Sequence, residues 1–261
     1  MKPLYIIKIG GNIVDDELKL SSFLQEFSAI RENKILVHGG GKLANKLAEK
    51  LGIEQKMIEG RRITGSETLK VVTMVYAGLI NKNIVAQLQA NGCSAIGLSG
   101  ADANTILAHK RINAAHDYGF VGDIDSINSE FLNQLLENKM IIVFAPITHD
   151  KKGQLLNTNA DTIAQEIAKA MSGFYHTNLI YSFEKAGVLT DVDDESSRIE
   201  EINPSYYTQL KEEKKIFAGM IPKLDNAFAA LNNGVKKVII GKAEDLTGLI
   251  SGTAGTSIVN E

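Results

Sequence analysis

The stretch Val37-His38-Gly39-Gly40-Gly41-Lys42 lies between an apolar run and an amphipathic segment. Three consecutive glycines leave a strand-to-helix turn without side chains, so backbone N–H groups and the following helix N-terminus can face an anion directly. A second glycine pair, Gly10-Gly11, follows the apolar run Leu4 to Ile9, which contains Lys8. Two glycine turns and a lysine within a strand predict a phosphate-binding site near the N-terminus.

The composition of the chain excludes several classes of protein. Its 261 residues carry a net charge of −3, whereas nucleic-acid-binding proteins usually have a strong basic excess. No consecutive apolar run approaches the roughly 18 residues that span a bilayer, and the first residues lack the pattern of a signal peptide. The single cysteine, Cys93, excludes an internal disulfide and favours a reducing compartment. We therefore expect a cytoplasmic protein without nucleic-acid or membrane partners, and the scattered histidines predict no protein-held metal.

The order of apolar and amphipathic segments predicts an α/β fold. Two strands, 4–9 and 34–38, alternate with two helices, 16–33 and 42–51, which is typical of a parallel sheet covered on both faces. Further strands are expected at 94–98, 140–146, 178–183 and 235–241. We predict a three-layer αβα sandwich with a mainly parallel central sheet, divided into lobes 1–172 and 173–261 of one continuous sheet. The helix 66–91 is apolar on more than one face, which fits a core helix or a homodimer interface equally well.

The glycine turn by itself leaves several kinds of phosphate site open. A P-loop would require Ser or Thr after Gly41-Lys42, where this chain has Leu43. The stretch Gly39 to Ala44 satisfies the dinucleotide-binding pattern G-x-G-x-x-[GA], with Glu59 about 20 residues further on. On this motif alone, a nicotinamide-dependent enzyme is a serious alternative.

Other charged residues favour phosphoryl transfer. Lys8 lies near the carboxyl end of the first strand, where parallel sheets bind ligands. Lys223 follows a distant glycine turn, and Asp161 follows two asparagines at the start of a predicted helix. Phosphoryl transfer requires positive charge and N–H donors around the transferred group, and little covalent chemistry from the protein. These residues are therefore better suited to a kinase than to a dehydrogenase.

Five motifs occur together in the order seen in one family. They are Lys8-Ile9-Gly10-Gly11, His38-Gly39-Gly40-Gly41, Gly60-Arg61-Arg62-Ile63-Thr64, Asn157-Thr158-Asn159-Ala160-Asp161 and Gly219-Met220-Ile221-Pro222-Lys223. With these five motifs in this order, the chain resembles the acetylglutamate kinases of the amino acid kinase family over essentially its whole length. The resemblance implies the amino acid kinase fold. It also implies the phosphorylation of the side-chain carboxylate of N-acetyl-L-glutamate by ATP, the second step of arginine biosynthesis.

The resemblance implies catalytic roles at the matching positions. Lys8 and Lys223 stabilise charge on the transferred phosphoryl group, and Asp161 orients both lysines. The N–H groups of Gly11 and Gly40 hold the γ-phosphoryl oxygens. Mg²⁺ accompanies the ATP and is held mainly by the nucleotide phosphates.

The resemblance also implies two binding sites. Gly40 and Gly41 line the acyl-glutamate site, where Arg62 binds the substrate α-carboxylate and Asn157 and Asn159 hold polar groups of its backbone. The first lobe then binds acyl-glutamate and forms a homodimer, whereas the second lobe binds ATP. The implied ATP-site residues are Lys8, Gly10, Gly11, Gly187, Gly219, Met220 and Lys223.

Each of these residues also has a purely structural interpretation. Lys223 and Arg62 could be solvated surface charges, and Asp161 could be a helix cap. Lys8 is harder to explain this way, because a lysine in an apolar strand requires a partner. His38 is expected to support the turn, since attack by a carboxylate needs no general base.

Two departures leave alternatives open. Relatives commonly have Asp-Val where this chain has Glu184-Lys185, so the nucleotide contacts at that turn are not fixed by the resemblance. A succinyl-glutamate kinase would use the same catalytic residues, and a non-catalytic amino-acid sensor could keep the same fold. Because Lys8 follows Met1 so closely, the N-terminal helix of arginine-sensitive hexamers has no room. We therefore expect an arginine-insensitive homodimer built on helix 66–91.

Overall fold

The computed structural model describes residues 1–58, 61–113, 115–216 and 220–260, without the side chains of Arg61 and Pro222. Glu59, Gly60 and Gly219, which the sequence analysis singled out, lie outside the described residues. The strands are β1 (Pro3–Ile9), β2 (Asn33–His38), β3 (Lys56–Ile58), β4 (Arg61–Ile63), β5 (Ala95–Leu98), β6 (Ile106–Lys110), β7 (Gly122–Ile127), β8 (Ile141–Phe144), β9 (Ile147–His149), β10 (Leu155–Asn157), β11 (His176–Phe183), β12 (Glu201–Ile202), β13 (Lys237–Lys242) and β14 (Thr256–Ile258).

The central sheet is continuous through both halves of the chain. Its strand order is β12-β14-β13-β11-β1-β2-β8-β5, and the pairs are parallel except for β13 with β14. Strand β1 lies between β2 and β11, so the first half of the chain joins the second at the middle of the sheet. The α/β class, the mainly parallel sheet and its continuity are therefore as predicted.

The helices cover both faces of this sheet, which confirms the predicted three layers. They are α1 (Gly11–Val14), α2 (Glu17–Ala29), α3 (Gly41–Lys50), α4 (Ser66–Thr73), α5 (Asn81–Ala90), α6 (Ser129–Glu137), α7 (Ala160–Met171), α8 (Pro204–Glu212), α9 (Ile221–Asn232) and α10 (Leu246–Ser251). A π-helical segment, Met74–Ile80, joins α4 to α5, so that one long helix runs from Ser66 to Ala90.

Alternation along β1 assigns side chains to two separate cores. Leu4 and Ile6 belong to a first core with residues of α6 to α9, whereas Ile7 and Ile9 belong to a second core with residues of α2, α4, α5 and α10. Because successive side chains in a strand point to opposite faces, Lys8 lies on the face of the first core. The same rule places His38, the last residue of β2, on the face of the second core.

The long helix contributes a largely apolar face to the second core. An 18-residue window within its 25 residues has a mean hydropathy of 1.2, and 44% of that window is buried inside the protein. By length and composition this helix could cross a membrane, although the sequence was expected to contain no such segment. Its buried residues, including Val71, Val75 and Leu88, pack into the second core. This packing is that of a core helix with one face left at the surface.

Several elements were not anticipated from sequence. Residues 103–126 were expected to form strands and turns over the sheet edge. Strands β6 and β7 do form in this region, and β7 ends at Ile127. Their membership of a separate sheet, of order β10-β9-β6-β7, was not anticipated. Strands β3 and β4 form an antiparallel hairpin in a segment expected to be merely extended. The short elements α1, α10, β12 and β14 lack enough residues for a periodic pattern to identify them.

Candidate active site

An ion pair joins the central strand to the first turn of α7. The Nζ atom of Lys8 lies 2.8 Å from Oδ1 of Asp161, and the two side chains are 18% and 33% exposed. Lys8 lies on the first-core face of β1 near its carboxyl end, where α7 begins. The partner that a lysine in an apolar strand requires is therefore a carboxylate, which remains open to solvent on one side.

Asn159, and not Asp161, caps helix α7. The Oδ1 atom of Asn159 accepts hydrogen bonds from the backbone N–H groups of Asp161 and Thr162, at 2.7 and 3.2 Å. The interpretation of Asp161 as a helix cap was therefore wrong. Since Asn159 uses its oxygen as the cap, only its amide NH₂ group remains to face a ligand. The cap leaves the Asp161 carboxylate available to Lys8.

Lys223 approaches the same carboxylate from the second half of the chain. It lies in the first turn of α9, and its Nζ atom is 4.5 Å from the centre of the Phe183 ring. Burial lowers the pKa of Lys223, while the charge of Asp161 raises it and that of Lys8 lowers it further. Lys223 is therefore a half-buried cation in the field of the ion pair and not a solvated surface charge.

Two adjoining cavities follow the carboxyl ends of the central strands. The first, of about 330 Å³, is lined by Gly187, Met220 and Lys223 together with apolar residues such as Val188 and Leu189. The second, of about 740 Å³, is lined by residues that include Gly10, Gly11, Gly41 and Lys42. Phe183 and Glu184 line both cavities. Apart from Gly219 and Lys8, the implied ATP-site residues therefore line one or the other of these two cavities.

The two glycine turns lie directly against each other. The N–H of Gly39 donates to the carbonyl of Ile9 at 3.0 Å, and a Cβ atom on Gly39 would lie 3.7 Å from the nitrogen of Gly11. Gly40 adopts φ +156°, where a Cβ atom would lie 2.2 Å from Cδ1 of Ile80. Side chains at Gly39 or Gly40 would therefore fill or distort the junction, which explains why this turn contains glycine.

Arg62 lies beside Gly41 and is nearly buried, at 9% exposure. Its Nη1 donates to Oδ1 of Asn45 at 2.5 Å and to Oε1 of Gln55, and its Nη2 donates to the Gly41 carbonyl at 3.3 Å. Among the described residues, none of these contacts is to an acidic side chain, so the hydrogen-bond partners of the guanidinium are neutral. Such a group is suited to binding a carboxylate.

Asn157 joins this region from β10. Its Nδ2 donates to Oγ1 of Thr64 at 3.0 Å, and Thr64 follows the β3–β4 hairpin that carries Arg62. The backbone N–H of Asn157 donates to the carbonyl of Phe120 at 2.8 Å. Arg62 therefore contacts the glycine turn directly at Gly41, and Asn157 contacts the residue that follows the strand carrying Arg62.

His38 is completely buried behind the glycine turn. Burial lowers its pKa to about 4, so the imidazole is neutral at physiological pH. Its Nδ1 lies 2.8 Å from the carbonyl of Gly39. His38 therefore supports the turn, as predicted, and its ring is not exposed to a substrate.

Some residues around the site carried no recognisable sequence signal. Asn45 and Gln55 hold Arg62, Phe183 lies against Lys223, and Asn81 contacts His38. They lie in separate parts of the chain (α3, the loop before β3, β11 and α5), and none is part of the five motifs. Only Phe183, at the carboxyl end of a predicted central strand, could have been suspected from its position. Lys42 donates to Asn12 and links the two glycine turns.

The carboxylates of the site do not form a metal centre. In the described ranges, no group of three or more His, Cys, Asp or Glu side chains could hold a metal ion. Asp161 is paired with Lys8, and Asp15 lies in the field of Lys42 and Lys46, while burial raises its pKa. This donor set fits a divalent cation carried by nucleotide phosphates better than one held by the protein.

Comparisons with known proteins agree with this arrangement. The model of the amino acid kinase family matches residues 3–242. An acetylglutamate kinase of Cytophaga hutchinsonii is 55% identical over 262 residues, covering 99% of both chains. An acetylglutamate kinase of Parabacteroides distasonis is 53% identical over 246 residues, covering 94% of this chain and 96% of the relative. Among solved structures, smu.665 from Streptococcus mutans superimposes with a TM-score of 0.77 at 29% identity, covering 99% of each chain.

Proposed function

This chain belongs to the amino acid kinase family, and we propose that it phosphorylates the side-chain carboxylate of N-acetyl-L-glutamate with ATP. The product is N-acetyl-L-glutamyl 5-phosphate, and the reaction is the second step of arginine biosynthesis. The observation that carries the proposal is the Lys8–Asp161 ion pair beside Lys223, in a chain 55% identical to an acetylglutamate kinase. Two cations and a carboxylate between adjoining cavities are suited to phosphoryl transfer.

In this mechanism the acceptor carboxylate attacks the γ-phosphorus, and the bond to the β,γ-bridging oxygen breaks to release ADP. No proton is transferred, because the attacking carboxylate is already ionised. Lys8 and Lys223 stabilise the negative charge that spreads over the phosphoryl oxygens, and Asp161 holds both ammonium groups in place. Mg²⁺, carried by the nucleotide phosphates, neutralises part of their charge.

Backbone groups complete the phosphoryl site in this proposal. The N–H groups of Gly11 and Gly40 donate to the γ-phosphoryl oxygens, since the two turns that carry them are in contact. In the described part of the chain, neither N–H donates to a backbone or side-chain acceptor. Uncommitted donors on a side-chain-free surface are suited to an oxyanion, because they need no rearrangement during the reaction.

We assign the acyl-glutamate to the side of the junction formed by Gly40, Gly41, Arg62, Asn157 and Asn159. Arg62 binds the α-carboxylate, supported by the neutral partners that hold it among the described residues and by its position against Gly41. Residues 1–172 then bind acyl-glutamate. Residues 173–261 bind ATP in the apolar cavity beside Gly187 and Met220, with its phosphates directed toward Gly10 and Gly11.

We also propose that the chain forms a homodimer through the long helix. Met74 and Leu79, in its π-helical segment, are 53% and 62% exposed, although the opposite face of the helix is buried. Large apolar side chains at the surface of a long helix favour a protein interface. Light scattering tests this. We expect a dimer for the wild type and a monomer for Leu79→Glu, and a wild-type monomer would contradict the proposal.

The function is tested by ADP release with ATP and Mg²⁺ in the presence of N-acetyl-L-glutamate, N-succinyl-L-glutamate or neither. We expect turnover that depends on the acetyl compound, with trapping of the acyl phosphate as a hydroxamate. Faster turnover of the succinyl compound would identify succinyl as the acyl group of the substrate and leave the proposed mechanism unchanged. Binding of both ligands without turnover would instead identify a sensor.

A further inference from the structure

The orientation of the Gly40 N–H is set by a peptide that His38 contacts. The peptide between Gly39 and Gly40 is trans, because the described chain contains no cis peptide bond. In a trans peptide the carbonyl and the N–H point in opposite directions. Since the Gly39 carbonyl lies 2.8 Å from Nδ1 of His38, inside the second core, the Gly40 N–H points the opposite way. The histidine contact therefore determines where this N–H can donate.

The tautomer of His38 is determined by Asn81. The Nδ2 atom of Asn81 lies 3.0 Å from the carbonyl of Val143, which only accepts, and its Oδ1 lies 3.1 Å from Nζ of Lys82, which only donates. These contacts fix the orientation of the amide, so the group facing Nε2 of His38 at 3.3 Å is a donor. Nε2 must accept, and the proton of the neutral imidazole is on Nδ1, where it donates to Gly39.

The π-helical segment presents residues to the same turn. Asn81 immediately follows this segment, and Ile80 and Tyr76 lie against Cα of Gly40. Single π-helical turns within α-helices are frequent at functional sites. Asn81 and His38 are 1% and 0% exposed, so neither can contact a substrate. The contact between His38 and Gly39 is the direct link from these residues to the glycine turn.

We infer that His38 is a positioning residue. Asn81 holds it as its Nδ1–H tautomer, and the Nδ1–H group keeps the Gly39–Gly40 peptide in the orientation that directs the Gly40 N–H to the transferred phosphoryl group. This inference rests on the proposed function, because it assumes that Gly40 contacts that group. The low pKa of His38 supports a fixed neutral tautomer across the physiological range. Without the Nδ1–H donor, the Gly39 carbonyl is buried without a partner, which favours rotation of the peptide.

Two variants at His38 separate the hydrogen bond from packing. His38→Leu keeps an apolar side chain of similar bulk and removes the donor, whereas His38→Asn retains an NH₂ group near the position of Nδ1. We expect kcat to fall about 10- to 100-fold in the leucine variant, with each KM within about threefold of wild type. The asparagine variant should retain most of the wild-type kcat. His176→Leu, at an exposed histidine on the far end of β11, is the matched control and should retain wild-type kcat.

A transition-state analogue gives a second readout. ADP with Mg²⁺, aluminium fluoride and N-acetyl-L-glutamate mimics the planar phosphoryl group, whereas ADP with Mg²⁺ alone lacks it. His38→Leu should weaken the analogue complex about 10- to 100-fold and leave ADP affinity within about threefold. Equal weakening of both would indicate a general structural role. Such a result would overturn the inference. So would a wild-type kcat in a folded leucine variant, or a kcat in the asparagine variant as low as in the leucine variant.

The tautomer can also be measured directly in the wild-type protein. Nitrogen NMR of ¹⁵N-histidine-labelled protein, with the His38 signals assigned by their loss in His38→Asn, should show the proton on Nδ1 at neutral pH. A proton on Nε2 would overturn the inference. Absence of acyl-glutamate-dependent turnover in the wild type would refute the proposed function instead, and the tautomer measurement would still stand.

Discussion

The ammonium group of Lys8 and the carboxylate of Asp161 lie 2.8 Å apart, although more than half of the chain separates them in sequence. The contact forms because β1 lies at the middle of the sheet and α7 begins above its carboxyl end. Alternation along β1 directs Lys8 to the face that α7 covers. The ion pair, which we propose takes part in phosphoryl transfer, thus lies where the two halves of the chain meet.

Replacing Lys8 should affect the chemical step more than binding. We expect Lys8→Ala to lower kcat about 100- to 1000-fold while KM for acetylglutamate changes much less, because the lysine acts mainly on the transition state. Steady-state kinetics measures this. Lys236→Ala, at an exposed lysine just before the amino end of β13, is the control and should keep a normal kcat. A normal kcat in Lys8→Ala would remove this residue from the mechanism.

The pH dependence of kcat should reveal the coupling between Asp161 and Lys223. Lys223 acts as a cation, so activity is present below its pKa and is lost as the pH rises through it. Burial lowers this pKa and Asp161 raises it. We therefore expect Asp161→Asn to move the alkaline loss of kcat to lower pH. Glu184→Gln should move it less in the same direction, since Glu184 has a smaller effect on Lys223. An unchanged alkaline limb in Asp161→Asn would contradict this assignment.

Arg62 should affect one substrate selectively. Loss of its charge-assisted hydrogen bonds is expected to raise KM for acetylglutamate about 10- to 100-fold in Arg62→Ala. Affinity for ATP, measured by calorimetry, should be nearly unchanged, because the guanidinium lies on the Gly41 side of the junction. Arg31→Ala, at an exposed arginine beyond α2, provides a charge-matched control. Equal weakening of ATP binding would mean that the two ligand sites were assigned in reverse.

Buried His38 should make the stability of the protein depend on pH. Its pKa is about 4 in the folded protein and about 6.5 in the unfolded chain, so the unfolded state binds more protons between these values. The free energy of unfolding should therefore fall as the pH decreases from about 6.5 to about 4, by on the order of 3 kcal/mol. Urea unfolding at several pH values measures this dependence.

The variant His38→Asn isolates this contribution, because asparagine does not titrate. We expect its free energy of unfolding to vary less than that of the wild type over the same interval. The other carboxyl and imidazole groups are common to both proteins and cancel in the comparison. Parallel curves for the two proteins would show that the histidine is not buried in neutral form.

The α/β class and the parallel sheet could be predicted because they depend on local patterns. Apolar strands followed by glycine, and amphipathic helices between them, restrict the chain to few topologies. The same local chemistry indicated Lys8, since an isolated charge in an apolar strand requires explanation. The β3–β4 hairpin was less visible because each of its strands has only three residues. The second sheet was less visible because β6 pairs there with the distant strand β9.

The sequence alone also determined the chemistry that the glycine turns could serve, since only glycine leaves backbone N–H groups open to an anion. It could not determine which groups fill the space around them. Asn159 became the cap of α7, Arg62 was fixed by Asn45 and Gln55, and Asn81 reached His38 from the end of a π-helical segment. These relations depend on distances between elements remote in sequence, and no periodic pattern encodes them. Only tertiary packing decided them.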